Sequence, residues 1–371
     1  MSLLYDAVAA GMWAYTHAAL RVRTLAPERL RVRPGTILAI THRRETDVPL
    51  VCPPVFYGSP MRFDHSLRMS FAARQDLFEP GFFAGFPKAV PAPVRRGLWR
   101  VDISRYLHVL TLLPVRSAAV IRLVDVVRLD PGFDVEAFPE EVAAALRSRA
   151  AELRLSEPRV AADVDRGEYG DLLWHTFTRD ELGGEAFETA WRRHGAAAAG
   201  DFRGLVEAVS RGGVLLLFPE GRPSADGEIG PMQRGLKALI RRASPRWIQP
   251  IGIAYDPLVR GRTHAFVSFL DPIPPPEEDP EAVVLERLRL AVPLTAGQVV
   301  GSALVEGEEP TSARLEEAYE TARSEGRNVS PDLLSAEGRR RRLPEAVRAA
   351  ASASRAELEF LAREYRSARE R

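Results

Sequence analysis

The sequence predicts an α/β fold with a mixed, largely parallel sheet flanked by helices, a helical insertion and a helical C-terminal extension. Two observations support this fold class. Short apolar runs bounded by turn residues, typical of buried strands, alternate along the chain with helical patterns. The chain also has 371 residues, of which 46% are hydrophobic and 27% charged, so it can bury a large core.

The elements follow from local patterns. Four apolar runs predict buried strands, at residues 36–40, 213–218, 248–254 and 264–270. The predicted helices cover residues 3–20, 140–155, 201–211 with Asp201 as cap, 232–242, a segment that opens after Asp279, and 344–371. Strands that alternate with helices in this way predict a sheet covered by helices.

Composition divides the chain into segments. Residues 1–30 are predicted as an N-terminal helix, residues 31–276 as the main domain, and residues 277–371 as a helical extension. Within the main domain, residues from about 118 to 200 are acidic, polar and rich in alanine. They are predicted to form a helical insertion that packs as a lobe or lid.

Charge and cysteine content indicate the compartment and the partners. The net charge of +1 hides a basic segment, residues 1–120 with 16 Lys and Arg against 8 Asp and Glu, and an acidic one, residues 121–200 with 10 against 16. The basic segment favours anionic substrates or an anionic lipid surface. The single cysteine, Cys52, allows no internal disulfide and is expected to be a small buried residue. No secretory signal is found at the N-terminus, so the expected location is the cytoplasm, with the inner face of the cell membrane as an alternative.

The N-terminal helix is not predicted to span a membrane. Asp6 and His17 interrupt it, so its uncharged run is shorter than roughly 18–20 residues. Trp13 and Tyr15 near its centre suit an interfacial helix. Docking on the protein's own body is the favoured interpretation, and peripheral membrane contact is the alternative.

A histidine followed five positions later by an aspartate occurs twice, as His42 with Asp47 and as His175 with Asp180. The spacing alone does not choose between them, because such a pattern arises easily by chance. The surrounding sequence favours the first pair, because His42 follows an apolar strand and precedes a segment in which Asp47 can open a helix. A histidine beside the amides that open a helix suits a general base next to developing negative charge. His175 lies in the acidic insertion without a strand before it.

A second motif, Phe-Pro-Glu-Gly at residues 218–221, ends the predicted strand 213–218. This turn is expected to present the Glu220 carboxylate and the Gly221 amide at one place. Arg222 has the planar fork of donors that binds phosphate. The alternative is a turn that only ends the strand, with Glu220 and Arg222 in solvent. We expect the two turns to converge in one cleft.

Taken in order, these residues resemble the glycerophospholipid acyltransferase family, of the lysophosphatidic acid acyltransferase type. That family has His-x4-Asp after a strand, a segment ending in arginine, Phe-Pro-Glu-Gly, and then a strand containing proline. The resemblance covers about a third of the chain, with counterparts at 36–47, 70–85, 113–116, 218–221 and 249–254. This chain departs from the pattern at Thr41, where the family usually has asparagine, and at Arg222, which stands one position early.

The resemblance implies an acyltransferase αβ sandwich that transfers a fatty acyl group to a hydroxyl of a lysophospholipid or glycerol phosphate. His42 would be the general base and Asp47 its partner, while the glycerol-phosphate end would be held by Arg116, Glu220 and Gly221. No metal and no cofactor are expected; acyl-CoA or acyl carrier protein would be the co-substrate. Because Gly-x-Ser-x-Gly does not occur in the sequence, we expect the hydroxyl to attack the thioester directly.

Two alternatives remain at this stage. The acceptor could be another lipid alcohol or a glycolipid, with the same chemistry. A non-catalytic lipid-binding protein on the same scaffold is the alternative from a different class. Nucleic acid is not expected as a partner, because the basic run 339–342 is short and lies among acidic helices.

Overall fold

The structure is a computed structural model that describes residues 2–44, 47–57, 64, 67–74, 108–112, 120–164, 169, 172–224 and 226–369. The chain divides into two compact units. The first combines Met1–Ser70 with Val206–Arg371, and the second is Phe71–Leu205. The described part of the predicted C-terminal extension, residues 277–371, lies in the same compact unit as the strand at 36–40.

The strands, in chain order, are β1 Arg21–Leu25, β2 Thr36–Ile40, β3 Met69–Arg74, β4 Val109–Leu112, β5 Ile121–Arg122, β6 Thr176–Phe177, β7 Val214–Leu217, β8 Trp247–Asp256 and β9 His264–Phe269. The α-helices are α1 Ser2–Ala19, α2 Asp47–Tyr57, α3 Leu123–Leu129, α4 Glu140–Glu152, α5 Ala161–Val164, α6 Arg179–Leu182, α7 Gly184–Ser210, α8 Gly235–Ala243, α9 Pro280–Ala291, α10 Ala296–Val305, α11 Ser312–Ser324, α12 Ala336–Ala350 and α13 Arg355–Ser367. None of these helices combines the length and the apolar character needed to cross a bilayer.

The first unit is built on strands in the order β1-β9-β8-β2-β7. The pairs β1–β9, β8–β2 and β2–β7 are parallel, and β8–β9 is antiparallel, so the sheet is mixed and largely parallel, as predicted. Every residue of β2 and β7 is buried, which is typical of strands covered on both faces. Because β8, β2 and β7 run in one direction, their carboxyl ends lie side by side at one edge of the sheet.

Helices cover this sheet and extend the core. Helix α1 packs on α2, α9 packs on β8, and α10 packs on α12 and α13. The inner face of α1, with Tyr5, Ala9 and Thr16, is buried. Trp13 and Tyr15, on its outer side, are 48% and 56% exposed. Cys52 is buried in α2, as expected.

The second unit has its own hydrophobic core. The short antiparallel pair β5–β6 and helices α3 to α6, with the first part of α7, surround it. Its most deeply buried side chains include Ile121, Leu123, Leu146 and Phe177. In the described part of residues 118–200 most elements are helices, and the two-stranded pair lies among them. In the same unit β3 pairs in parallel with β4.

The four predicted strands are confirmed to within about two residues at each end. Two predicted helices were wrong in extent. Asp201 does not cap a helix but lies inside α7, which begins at Gly184. The alanine-rich segment before it propagates the helix, and a single aspartate does not stop it. The predicted helix at 344–371 is two helices, because Ser354 accepts a hydrogen bond from Glu357 N–H in a capping box that starts α13.

Candidate functional site

The candidate site lies where β2, β7 and β8 end. His42 follows β2 by two residues, and the turn with Glu220 and Gly221 follows β7. Tyr255 is the penultimate residue of β8. Parallel neighbouring strands bring these three chain segments together, although they are far apart in sequence.

His42 and Asp47 form the centre of the site. His42 Nδ1 lies 3.0 Å from Asp47 Oδ2, and the imidazole stacks on the Phe218 ring with centroids 4.2 Å apart. The Asp47 side chain is fully buried, whereas the His42 side chain keeps 13% of its surface exposed. With Nδ1 directed at a carboxylate, that nitrogen carries the proton and Nε2 is the basic one. Within the described parts of the chain, His42 Nε2 makes no hydrogen bond.

Asp47 is held in place by three further donors. Its Oδ2 atom accepts hydrogen bonds from the backbone N–H groups of Arg43 and of Arg44, the latter at 2.8 Å. Its Oδ1 atom accepts from the Tyr255 hydroxyl at 2.7 Å. The Arg44 guanidinium lies over the Tyr255 ring, 4.4 Å from its centroid. The carboxylate is therefore fixed in position before any ligand binds, which is what a group that orients a catalytic base requires.

Glu220 ties the second turn to the first. The residue is 3% exposed, and its two oxygens accept hydrogen bonds from His42 N–H at 2.8 Å and from Gly230 N–H at 3.0 Å. Burial raises the pKa of Glu220, and the Arg43 guanidinium and these two N–H donors oppose that shift. In return, Ser224 N–H donates to the His42 carbonyl at 2.9 Å. Both backbone polar groups of His42 are thus bonded to residues of the segment 220–224.

Gly221 and Arg222 have different surroundings. Gly221 has a φ of +73°, and a Cβ there would lie 2.8 Å from Gln233 Cγ, so the turn requires glycine. Its N–H donates to Phe218 O at 2.9 Å, within the turn. Arg222 is exposed beside the site. Of the two, only the arginine has its donors open to a ligand.

Two other residues of the sequence prediction need comment. Arg116 lies outside the described residues. Thr41, which replaces the asparagine of the resembled family, is buried between strands: its N–H donates to Ile251 O at 3.1 Å, and its Oγ1 accepts from Ile253 N–H at 2.9 Å. Thr41 thereby joins β2 to β8 immediately before the turn that carries His42.

His175 and Asp180, the second pair with this spacing, are both exposed. Neither a hydrogen bond nor an ion pair joins them in the part of the second unit that the structure describes. His175 N–H donates locally, to Leu172 O at 2.9 Å. Asp180 lies in the first turn of the short helix α6.

Sequence reasoning missed Tyr255, Phe218 as a stacking partner, and Arg43. For Tyr255 a signal existed: an aromatic hydroxyl at the end of a strand predicted to lie in the same sheet. No three His, Cys, Asp or Glu side chains converge as a metal site in the described ranges. The arrangement can therefore accept a proton at His42 Nε2, with a buried carboxylate that stabilises the resulting imidazolium.

The chain matches no protein-family model and no curated protein. Among solved structures it is similar to the 1-acyl-sn-glycerophosphate (LPA) acyltransferase PlsC from Thermotoga maritima, at 12% sequence identity and a TM-score of 0.36, over 78% of this chain and 80% of that one. At this TM-score the likeness does not establish a shared fold, and the function proposed next rests on the site itself.

Proposed function

We propose that this protein is an O-acyltransferase that moves a fatty acyl group from an acyl thioester to a hydroxyl of a lysophospholipid or glycerol phosphate. The observation that carries the proposal is the contact of His42 Nδ1 with a fully buried Asp47, at 3.0 Å. Such a carboxylate fixes the tautomer in which Nε2 is the basic nitrogen.

The proposed reaction is a direct transfer. His42 Nε2 takes the proton of the acceptor hydroxyl while the hydroxyl oxygen attacks the thioester carbonyl. The tetrahedral intermediate then breaks its C–S bond, and the proton on the imidazolium passes to the departing thiolate. Asp47 stabilises the imidazolium throughout. Cys52 is buried in α2, with its pKa raised by burial, and is unsuited to act as a nucleophile.

A basic surface beside the site suits a phosphorylated acyl donor. Helix α8 begins two residues after Gln233, which donates its backbone N–H to Pro219 O at 2.8 Å and its side-chain amide to Glu220 O at 3.0 Å. A surface cleft of about 520 Å³ is lined by Arg234 just before this helix, by Lys237, Ala238, Arg241 and Arg242 on it, and by Glu281. Cations at this spacing can bind the phosphates of coenzyme A or the acidic surface of a carrier protein.

The residues that would bind the acceptor follow from which polar groups near His42 are not already bonded. Since the Glu220 carboxylate and the Gly221 N–H are already bonded to backbone groups of the protein, we assign the anionic end of the acceptor to Arg222, together with Arg116 from the sequence pattern. Another lipid alcohol or a glycolipid remains the alternative acceptor. Peripheral membrane contact through Trp13 and Tyr15 would bring the enzyme to a lipid acceptor.

The decisive experiment is a transfer assay on the full chain. Purified protein is incubated with acyl-CoA or acyl carrier protein and with lysophosphatidate, glycerol 3-phosphate or a glycolipid. Thiol release and lipid mass spectrometry then follow the reaction. We expect thiol release that depends on one acceptor class, with a loss of about 10²-fold to 10⁴-fold in His42→Ala. Lipid binding without thiol release from any donor would instead support the non-catalytic alternative.

A further inference from the structure

The C-terminal helix α13 contacts the catalytic turn through a buried ion pair. Arg43, the neighbour of His42, has its Nε atom 3.3 Å from Glu364 Oε1, and both side chains are fully buried. The same guanidinium donates to Gly227 O at 3.3 Å and to Glu228 O at 3.2 Å. The guanidinium of Arg43 thus links the backbone next to His42 to the loop at 227–230 and to α13.

A second set of contacts joins α13 to that loop. Ser367 Oγ accepts a hydrogen bond from Ile229 N–H at 2.9 Å. Gly227 has a φ of +93°, and a Cβ there would lie 2.3 Å from Phe360 O, so the loop rests directly against the helix. Gly230, at the end of this loop, donates its N–H to Glu220, and Glu220 also accepts from His42 N–H. The helix therefore supports the His42 backbone by two routes, one through Arg43 and one through the loop.

Glu364 is itself held firmly. Gln298 Nε2 donates to Glu364 Oε2 at 2.7 Å, and Gln298 belongs to the capping box that starts α10. Burial raises the pKa of Glu364, and the guanidinium groups of Arg43 and Arg327 oppose that shift. Burial also lowers the pKa of Arg327 to about 10. A buried ion pair costs desolvation and contributes little net stability, so its value here is the geometry that it imposes.

We propose that Glu364 is a positioning residue of the site: acting through Arg43 and the loop at 227–230, it sets the orientation of the His42 imidazole against Asp47. The inference rests on the proposed function for its kinetic readout only, because the orientation of the ring can be observed without turnover. It assigns the C-terminal helix a part in forming the site, beyond covering the core.

The test uses Glu364→Gln in the full chain. This substitution keeps the shape of the side chain and an acceptor for Gln298, and it removes the charge beside Arg43. We expect kcat to fall by about 10-fold to 100-fold with KM changed less than about twofold. NMR of ring-labelled histidine supplies the second readout. The His42 signal, identified among the seven histidines by its loss in His42→Ala, should shift, and its Nδ1 proton should exchange faster.

The matched control is Glu359→Gln on the same helix. Glu359 forms exposed ion pairs with Arg355 at 2.8 Å and with Arg363 at 3.7 Å, and in the described residues its side chain does not contact Arg43 or the loop at 227–230. Neither readout should therefore change, although Arg363 also lies 3.8 Å from Asp226. Glu364→Asp, which restores the charge, should recover part of the kcat. A folded Glu364→Gln protein with the wild-type His42 signals would overturn the inference.

Two further outcomes of these experiments also have a definite interpretation. If the wild-type protein transfers no acyl group, the proposed function is wrong. The NMR comparison of wild type with Glu364→Gln still tests whether Glu364 orients the His42 ring. If Glu364→Gln does not fold, Ser367→Ala takes its place, since it removes only the acceptor of Ile229 N–H. A shifted His42 signal in that variant supports the inference, and an unchanged one contradicts it.

Discussion

The two turns that carry histidine and aspartate at the same spacing differ in how far their partners lie along the chain. His42 N–H donates to Glu220, 178 positions away, whereas His175 N–H donates to Leu172, three positions away. Asp47 is buried and receives four donors, but Asp180 is exposed on a four-residue helix. Long-range hydrogen bonds reach the His42 backbone and the Asp47 carboxylate. At the second turn Leu123 N–H donates to the His175 carbonyl at 2.9 Å, but in the described residues no hydrogen bond reaches the His175 imidazole or the Asp180 carboxylate. Burial of the aspartate and distant partners of its carboxylate, and not the spacing, therefore separate the first pair from the second.

The largest expected effect on activity comes from replacing each of the two aspartates by asparagine, in separate variants. Asp47→Asn keeps the size of the side chain but removes the charge that stabilises the imidazolium and fixes its tautomer. We expect kcat/KM in the acyl-transfer assay to fall by about 10²-fold to 10⁴-fold. Asp180→Asn, the matched control at the other turn, should stay within about twofold. Equal losses in the two variants would mean that the site has been assigned to the wrong turn or to neither.

The strands and the first pair could be predicted from the sequence, because both are local. The apolar run before His42 and the helix opened by Asp47 lie within a few residues of each other. The contact of Asp47 with Tyr255 spans 208 positions and depends on the order of the strands in the sheet, which no local pattern encodes. The same holds for Arg43 with Glu364. For Glu220 the pattern identified the residue, but the structure directs both of its oxygens to backbone N–H groups.

Tyr255→Phe sharpens the contrast on a smaller scale. It removes one of the donors to Asp47, at 2.7 Å, and leaves the ring under Arg44 in place. A hydrogen bond to a charged group contributes about 1.5–3 kcal/mol, so kcat should fall by about 10-fold to 100-fold with KM nearly constant. Wild-type kinetics in this variant would show that the other three donors suffice to orient Asp47.

The smallest expected effect is on stability. It concerns the hydrogen bonds by which Glu220 joins its turn to the His42 turn. Glu220→Gln leaves one acceptor for two N–H donors, because an amide nitrogen cannot accept, and should cost about 1–3 kcal/mol of unfolding free energy at acid pH. Burial raises the pKa of Glu220 in the folded protein, so the folded state keeps a proton that the unfolded chain releases first. Wild-type stability from this group is therefore complete below the ordinary glutamate range and is lost as pH rises through the folded pKa.

Because glutamine does not titrate, the gap in unfolding free energy between wild type and Glu220→Gln should narrow as pH rises from about 4 to about 8. Urea unfolding at several pH values measures it. The matched variant at the second turn is His175→Ala, which removes an exposed side chain and should shift stability by no more than about 0.5 kcal/mol at any of these pH values. A gap that widened with pH would mean that the N–H donors and Arg43 outweigh burial at Glu220. Glu220 would then join its own turn to the His42 turn as an anion. The His42 turn would differ from the His175 turn in having a buried charge beside it, as well as in its distant partners.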